Sequence, residues 1–388
     1  MSLFMEGDNY LECLITDELI SKEYPQFKEN TWFATGMHGV VPRSAVKKLT
    51  ETMFNYETEL FFRYGEIESK TGVLREKIAS LISANTSEIC FTRNANEGIT
   101  IALSNIDFKP GDEIITSNQE HGALMGKLRY IERRVNANLK VFDVHKEPEE
   151  NLEAIKNQIT DKTKAFAFSH VTCETGIRLP VKEICKIARE IGAYILLDGA
   201  QTVGDISVNV QDYDCDFYVG NGHKWLCAPK GTSFLYVNSK TKCEPPPGFL
   251  GLCPFCEDPL ARTDAGRFEF GTRDCMLLYG FLVTIELYEE WGWQMKDGRI
   301  KDLTSYLREN LSTIPKCIVH SPIEWEKSSG NTTFSMKGYS LGELSSYLSK
   351  EWHIYTRGVV EVDGTRISTS FFNTYKEIDK LIKALKSM

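Results

Sequence analysis

The sequence has no long apolar run, no excess of basic residues and no regular spacing of cysteines, and each absence removes a class of protein. No stretch approaches the roughly 20 apolar residues that a membrane-crossing helix needs. Residues 1–10 carry Glu6 and Asp8 and have no apolar core, so they do not read as a secretory signal. The net charge is −9 and no long basic run occurs, which argues against nucleic acid or an anionic membrane as a main partner. The 11 cysteines are scattered through 388 residues, the pattern of reduced thiols in a cytoplasmic protein rather than of a disulfide framework. Cys253-Pro254-Phe255-Cys256 has the spacing of half a zinc site, but the other half would have to be Cys243 and Cys275, which form no second close pair. No metal is assigned, and the stretch reads as a loop with two thiols. The phosphate-loop spacing Gly-x4-Gly-Lys-Ser/Thr is also missing, although Gly220-Asn221-Gly222-His223-Lys224 has some of its look.

What is present centres on residues 193–224. The apolar run Tyr194-Ile195-Leu196-Leu197 is short, branched and bounded by turn residues, so it predicts a buried strand; it stops at Asp198. A second run, Phe217-Tyr218-Val219, ends in Gly220-Asn221-Gly222-His223-Lys224. A carboxylate at the end of a buried strand is costly without a cationic partner. A lysine just past a neighbouring strand, in a loop of small residues, can lose its hydration and become a nucleophilic amine. Pyridoxal phosphate (PLP) needs these two groups together: a lysine for its aldehyde and an acid that keeps its ring nitrogen protonated.

Asp198-Gly199-Ala200-Gln201 and Gly222-His223-Lys224-Trp225-Leu226-Cys227-Ala228-Pro229-Lys230-Gly231 together resemble the class V aminotransferases, PLP enzymes of fold type I. Within them the likeness is to the branch of cysteine desulfurases, cysteine/cystine C–S lyases and isopenicillin N epimerase, and it runs from about Trp32 to the C-terminus. The resemblance implies that Lys224 forms the Schiff base, that Asp198 holds the ring nitrogen, and that His121 lies over the ring. A short strand, the polar turn Arg93-Asn94-Ala95-Asn96 and a helix start make an anion site or an ordinary helix cap. The family's cofactor phosphate sits there, on Ala95 and Asn96, with Asn221 and His223 facing it. Asn96 and Asn221 stand where threonine and serine are more usual. Gln201 matches a contact to the cofactor's phenolic oxygen, and Cys173 stands where an asparagine often makes another. Thr272, in Gly271-Thr272-Arg273-Asp274, matches a residue that reaches the partner's phosphate, which implies a homodimer with shared active sites. Arg366 matches the arginine that binds the substrate carboxylate. His38 either lines the pocket or is a turn histidine.

Strands alternating with helices predict a largely parallel sheet covered on both faces, and the resemblance implies the rest of an α/β fold: a large PLP-binding domain with a mostly parallel seven-stranded sheet between helices, plus a small α+β C-terminal domain. The expected division is an N-terminal arm packing on the small domain (1–30), the large domain (31–282) and the small domain (283–388). Val46, Leu49, Met53 and Tyr56 recur at helical spacing, as do Leu74, Ile78, Leu81 and Ile82, and both sets predict core stripes. Residues 243–262, rich in Pro, Gly and Cys, predict a loop over the site or at a dimer contact.

The implied chemistry starts at the Cα of an amino acid substrate and leads to epimerisation, β-elimination or transamination; a silent scaffold relative is the other class left open. Persulfide-forming desulfurases carry a nucleophilic cysteine on a loop before the substrate arginine, and no cysteine lies between Gly338 and Arg366. That favours an epimerase, or a lyase that releases its leaving group directly.

Overall fold

Short apolar runs bounded by polar turns build the central sheet. The computed structural model describes residues 15–242 and 263–388. Seven strands form the sheet: Ile89–Thr92 (β1), Glu113–Ser117 (β2), Asn138–Phe142 (β3), Thr163–Ser169 (β4), Tyr194–Asp198 (β5), Phe217–Asn221 (β6) and Ser233–Val237 (β7). Their order is β1-β7-β6-β5-β4-β2-β3, with β7 antiparallel to both neighbours and the other pairings parallel. Successive side chains point to opposite faces, and both faces are covered. Phe166, Phe168, Ile195, Leu197 and Phe234 pack in one layer with Leu74, Ile78 and Ile82, while Ala165, Ala167, Leu196, Phe217 and Leu235 pack in the other with Ile99, Leu124 and Leu128.

The C-terminal part is a smaller antiparallel sheet in the order Arg357–Val359, Gly364–Ser368, Asn331–Met336, Cys317–Val319. Leu303, Leu307, Leu344, Leu348, Ile378 and Leu381, from three helices, cover it. Thr31–Trp32 pairs in parallel with Ile354–Tyr355, and Ala34 bridges Ser368. The chain therefore touches this part before it turns at residues 36–39 toward the large sheet. The N-terminal helix Asp17–Glu23 is capped by Thr16, and Tyr24 just after it packs against Phe371 and Phe372. Helix Cys275–Trp291 runs from the large sheet toward the small one without a break.

One apolar stripe differs from its expectation. On helix Arg43–Thr58, Tyr56 is buried, but Val46 and Met53 are 47% and 46% exposed, and Phe54 is 69% exposed. Leu49 packs beside Tyr56, so helical spacing reveals an apolar face of which only the Leu49 and Tyr56 side is covered by core among the described residues. The second stripe is in the core: Leu74, Ile78 and Ile82 are fully buried. Cys243, Cys253, Cys256 and the 243–262 loop lie outside the described residues; Cys275 opens its helix as a free, half-buried thiol. Among the described residues no helix is long and apolar enough to cross a membrane.

Candidate active site

In a parallel sheet the C-terminal strand ends share one edge, where ligands bind. Here that edge borders a cavity of about 350 Å³. Asn94, Ala95 and Asn96 reach it from the turn after β1, His121 from the turn after β2, Ser169 and Cys173 from the end of β4 and beyond, and Asp198 and Gln201 from β5. Asn221 at the end of β6 and His223 and Lys224 just past it complete the cavity, and His38 enters with Gly36 and Met37. Two expected residues are not among the lining side chains. Arg366 is fully buried behind the cavity wall, and Thr272 is exposed elsewhere on the surface.

Asp198 ends β5, and its Oδ1 accepts the Ala200 N–H at 2.9 Å. Desolvation pushes the Lys224 amine down to about 8; the Asp198 charge opposes the shift, while Arg366 and Arg357 add to it. Near neutral pH an appreciable fraction of this amine is uncharged and nucleophilic.

The turn after β2 is fixed by Glu120. Its half-buried carboxyl accepts Ser117 Oγ at 2.5 Å, and from Ser169 both the N–H at 3.0 Å and Oγ at 2.6 Å, so it ties β2 to β4. Burial pushes this acid up to about 7. His121 caps helix Gly122–Val135, with Nδ1 accepting the Ala123 N–H at 3.1 Å. A nitrogen that accepts carries no proton, so the neutral ring has its hydrogen on Nε2. Burial, then Lys224, lowers the His121 pKa and keeps the ring neutral.

Past β6, His223 is pushed down to about 4, first by desolvation and then by Lys224. Its Nδ1 is buried without a partner among the described residues. Gln201 is largely engaged: Nε2 donates to Gly36 O at 2.8 Å, and Oε1 accepts from Trp225 Nε1 and Asn331 Nδ2, each at 3.2 Å. A Cβ on Gly36 would come within 2.8 Å of Arg366 Nη2 and Gln201 Oε1, so only glycine leaves this wall open.

The far end of the cavity carries a residue the sequence reasoning missed. Arg357 lines the cavity and is the direct cross-strand partner of Arg366. Both guanidinium groups donate to one carbonyl, that of Cys173, Arg357 at 2.9 Å. Arg357 also meets Glu174 at 3.4 Å, whereas Nε and Nη2 of Arg366 have no partner among the described residues. Burial, then Arg357, pushes Arg366 down to about 10. Cys173 is itself buried, and desolvation followed by Glu174 pushes its thiol up to about 12. Two arginines alternating with small residues on adjacent short runs were a visible signal, but the register that pairs them was not.

The chain matches known proteins in sequence and in fold. The aminotransferase class-V family model matches residues 40–381, and the chain belongs to that family of PLP-dependent enzymes. Isopenicillin N epimerase of Streptomyces clavuligerus is 29% identical over 373 residues, covering 91% of this chain and 94% of the relative. A cysteine desulfurase of Escherichia coli O7:K1 is 27% identical over 332 residues, 81% of each chain. Among solved structures, the cystine C–S lyase C-DES in complex with its reaction product cysteine persulfide superposes with a TM-score of 0.85 at 23% identity, covering 94% of this chain and 99% of that one. An apo cysteine desulfurase from Thermococcus onnurineus NA1 gives a TM-score of 0.80 at 21% identity, covering 95% and 97%.

Proposed function

We propose that this enzyme binds an α-amino acid in the cavity and labilises its Cα–H bond, as an epimerase or as a C–S lyase that releases its leaving group directly. One observation carries the reading: a desolvated Lys224 amine and the strand-end carboxylate of Asp198 line one cavity, and the half-satisfied guanidinium of Arg366 is buried just behind its Gly36 wall. The residues fit PLP, since they offer an amine for its aldehyde, an acid for its ring nitrogen and the unpartnered buried His223 Nδ1 beside the helix start for its phosphate. When bound, PLP supplies the electron sink.

This chain's residues do the rest. Lys224 would hold the aldehyde, and its free amine would take the Cα proton. Asp198 would keep a proton on the ring nitrogen, and neutral His121 would cover the ring. Ala95, Asn96, Asn221 and His223 hold the phosphate. Gln201, through Nε2, and the weak donor Cys173 would serve the phenolic oxygen. Arg366 takes the substrate carboxylate with its free edge, a two-point contact that a lysine could not make. Arg357 and His38 face the remainder of the substrate. A Cys173 thiol pushed to about 12 is a poor nucleophile, which disfavours a persulfide on this residue.

Thr272, exposed and away from the chain's own cavity, suits a role in a partner's site, and the uncovered Val46, Met53 and Phe54 give a homodimer an apolar face. The free buried thiols Cys90, Cys173, Cys185 and Cys215 suit a reducing cytoplasm.

The test is to incubate the PLP-loaded protein with a panel of amino acids in deuterated water. Deuterium at Cα of an otherwise intact substrate supports epimerisation. Release of pyruvate with a sulfur fragment supports the lyase. Conversion of the cofactor to pyridoxamine phosphate without either would replace the reading with transamination, and no change with any substrate would return the chain to the scaffold class.

A further inference from the structure

Three asparagines line the cavity where the phosphate is placed: Asn94, Asn96 and Asn221. Each amide oxygen is occupied by a group that can only donate. Asn94 Oδ1 accepts the Glu97 N–H at 3.0 Å, Asn221 Oδ1 accepts the Ala95 N–H at 3.0 Å, and Asn96 Oδ1 accepts Lys127 Nζ. A backbone N–H or an ammonium must face an acceptor, so these partners fix which way each amide points. All three NH2 groups are thereby left for an anion. Asn94 and Asn221 are fixed by backbone; Asn96 is held by one side chain, Lys127, from the neighbouring helix Gly122–Val135.

Charge points the same way. A phosphate monoester carries about −1.5 to −2 near pH 7. The nearby Arg93 is closed onto Glu97 at 3.2 Å, His223 is neutral, and Lys224 is committed to the aldehyde. Lys127 is half-buried, and desolvation lowers its pKa with no carboxylate raising it among the described residues. An ammonium that gives up hydration without an acid in return suits an anion nearby.

We propose that Lys127 is a positioning residue for the cofactor phosphate, holding the Asn96 amide with its NH2 toward the cavity and supplying positive charge beside it. This rests on the PLP reading above. The sequence did not reveal it, because a single lysine on an amphipathic helix reads as a solvated charge.

The test titrates cofactor-free protein with PLP and with pyridoxal, which lacks the phosphate, for wild type, Lys127→Met and Lys127→Arg. The methionine variant is expected to bind PLP about tenfold to a hundredfold more weakly, with pyridoxal binding unchanged and the arginine variant within about threefold of wild type. Equal weakening of PLP and pyridoxal would mark a merely structural role and overturn the proposal. So would an arginine variant as weak as the methionine one, or a methionine variant that binds PLP as tightly as wild type. Wild-type protein that binds neither compound would overturn the PLP reading itself, and this proposal with it.

Discussion

At one end of the cavity the groups come from the strand ends of a single sheet; at the other they come from three separate stretches of chain. Asn94, Ala95, Asn96, Asp198, Asn221, His223 and Lys224 all sit within a few residues of β1, β5 or β6. Gly36 and His38, Cys173 and Glu174, and Arg357 and Arg366 meet only because the segment before residue 36 joins the small sheet and that sheet packs over the large one. The chemistry of the ends differs as well. The sheet end pairs neutral amides with one desolvated amine and one carboxylate, whereas the far end holds two guanidinium groups against a single carboxylate, Glu174. On the proposed reading the mostly parallel sheet would supply the cofactor platform, and the smaller C-terminal sheet the charge that meets the substrate.

The largest effect that would break this comparison is at the sheet end. Lys224→Ala is expected to lower turnover by about a thousandfold or more, with loss of the visible absorbance of the cofactor-loaded protein, since it removes both the covalent anchor and the base. Residual turnover within tenfold of wild type would remove Lys224 from the chemistry. At the far end the expected losses are unequal. Arg366→Ala should reduce kcat/KM by about a hundredfold or more, because it deletes a buried, half-satisfied cation. Arg357→Ala, exposed to the cavity and paired with Glu174, should cost about tenfold, mostly in KM. Steady-state kinetics that rank the two the other way would place the carboxylate on Arg357. Neither change should alter the affinity for PLP.

The third expectation concerns the subunit boundary. Phe54→Asp places a charge on the exposed apolar face of helix Arg43–Thr58 and should shift the protein toward monomers in sedimentation, weakening self-association by about tenfold or more. If Thr272 reaches a partner's phosphate as proposed, PLP retention should fall in parallel on dilution. A variant that sediments as wild type would detach this face from assembly. The smallest effect is in pH. Apo-protein should take up PLP faster as pH rises through about 8, because the folded-state pKa of Lys224 lies below its usual value and the free amine is the reactive form. Asp198 raises that pKa, so Asp198→Asn should move the midpoint to lower pH. A midpoint near the ordinary lysine value would show that the amine is not desolvated.

The sheet end was largely legible in the sequence because its signals are local. A buried run that stops at Asp198, and another followed by glycines and Lys224, each place a functional group at a strand terminus within one short stretch. The register that sets Arg357 beside Arg366 depends on a hairpin whose two strands, three and five residues long, carry too little pattern to fix it. Of the stripe Val46, Leu49, Met53 and Tyr56, the last is buried and Leu49 packs beside it, while Val46 and Met53 are exposed, since periodicity marks a face as apolar without saying what covers it. Lys127 carries no pattern at all; its meaning comes from the Asn96 oxygen opposite it.

The central claim is that Lys224 holds the cofactor at the ends of β5 and β6. Borohydride reduction of the PLP-loaded protein, followed by peptide mass spectrometry, tests it most directly. The pyridoxyl mass is expected on the peptide bearing Lys224 and to vanish in Lys224→Ala. A pyridoxyl group found instead on Lys230, whose amine lies at 3.2 Å from the Gly39 carbonyl, on Lys127, or on no lysine would contradict it.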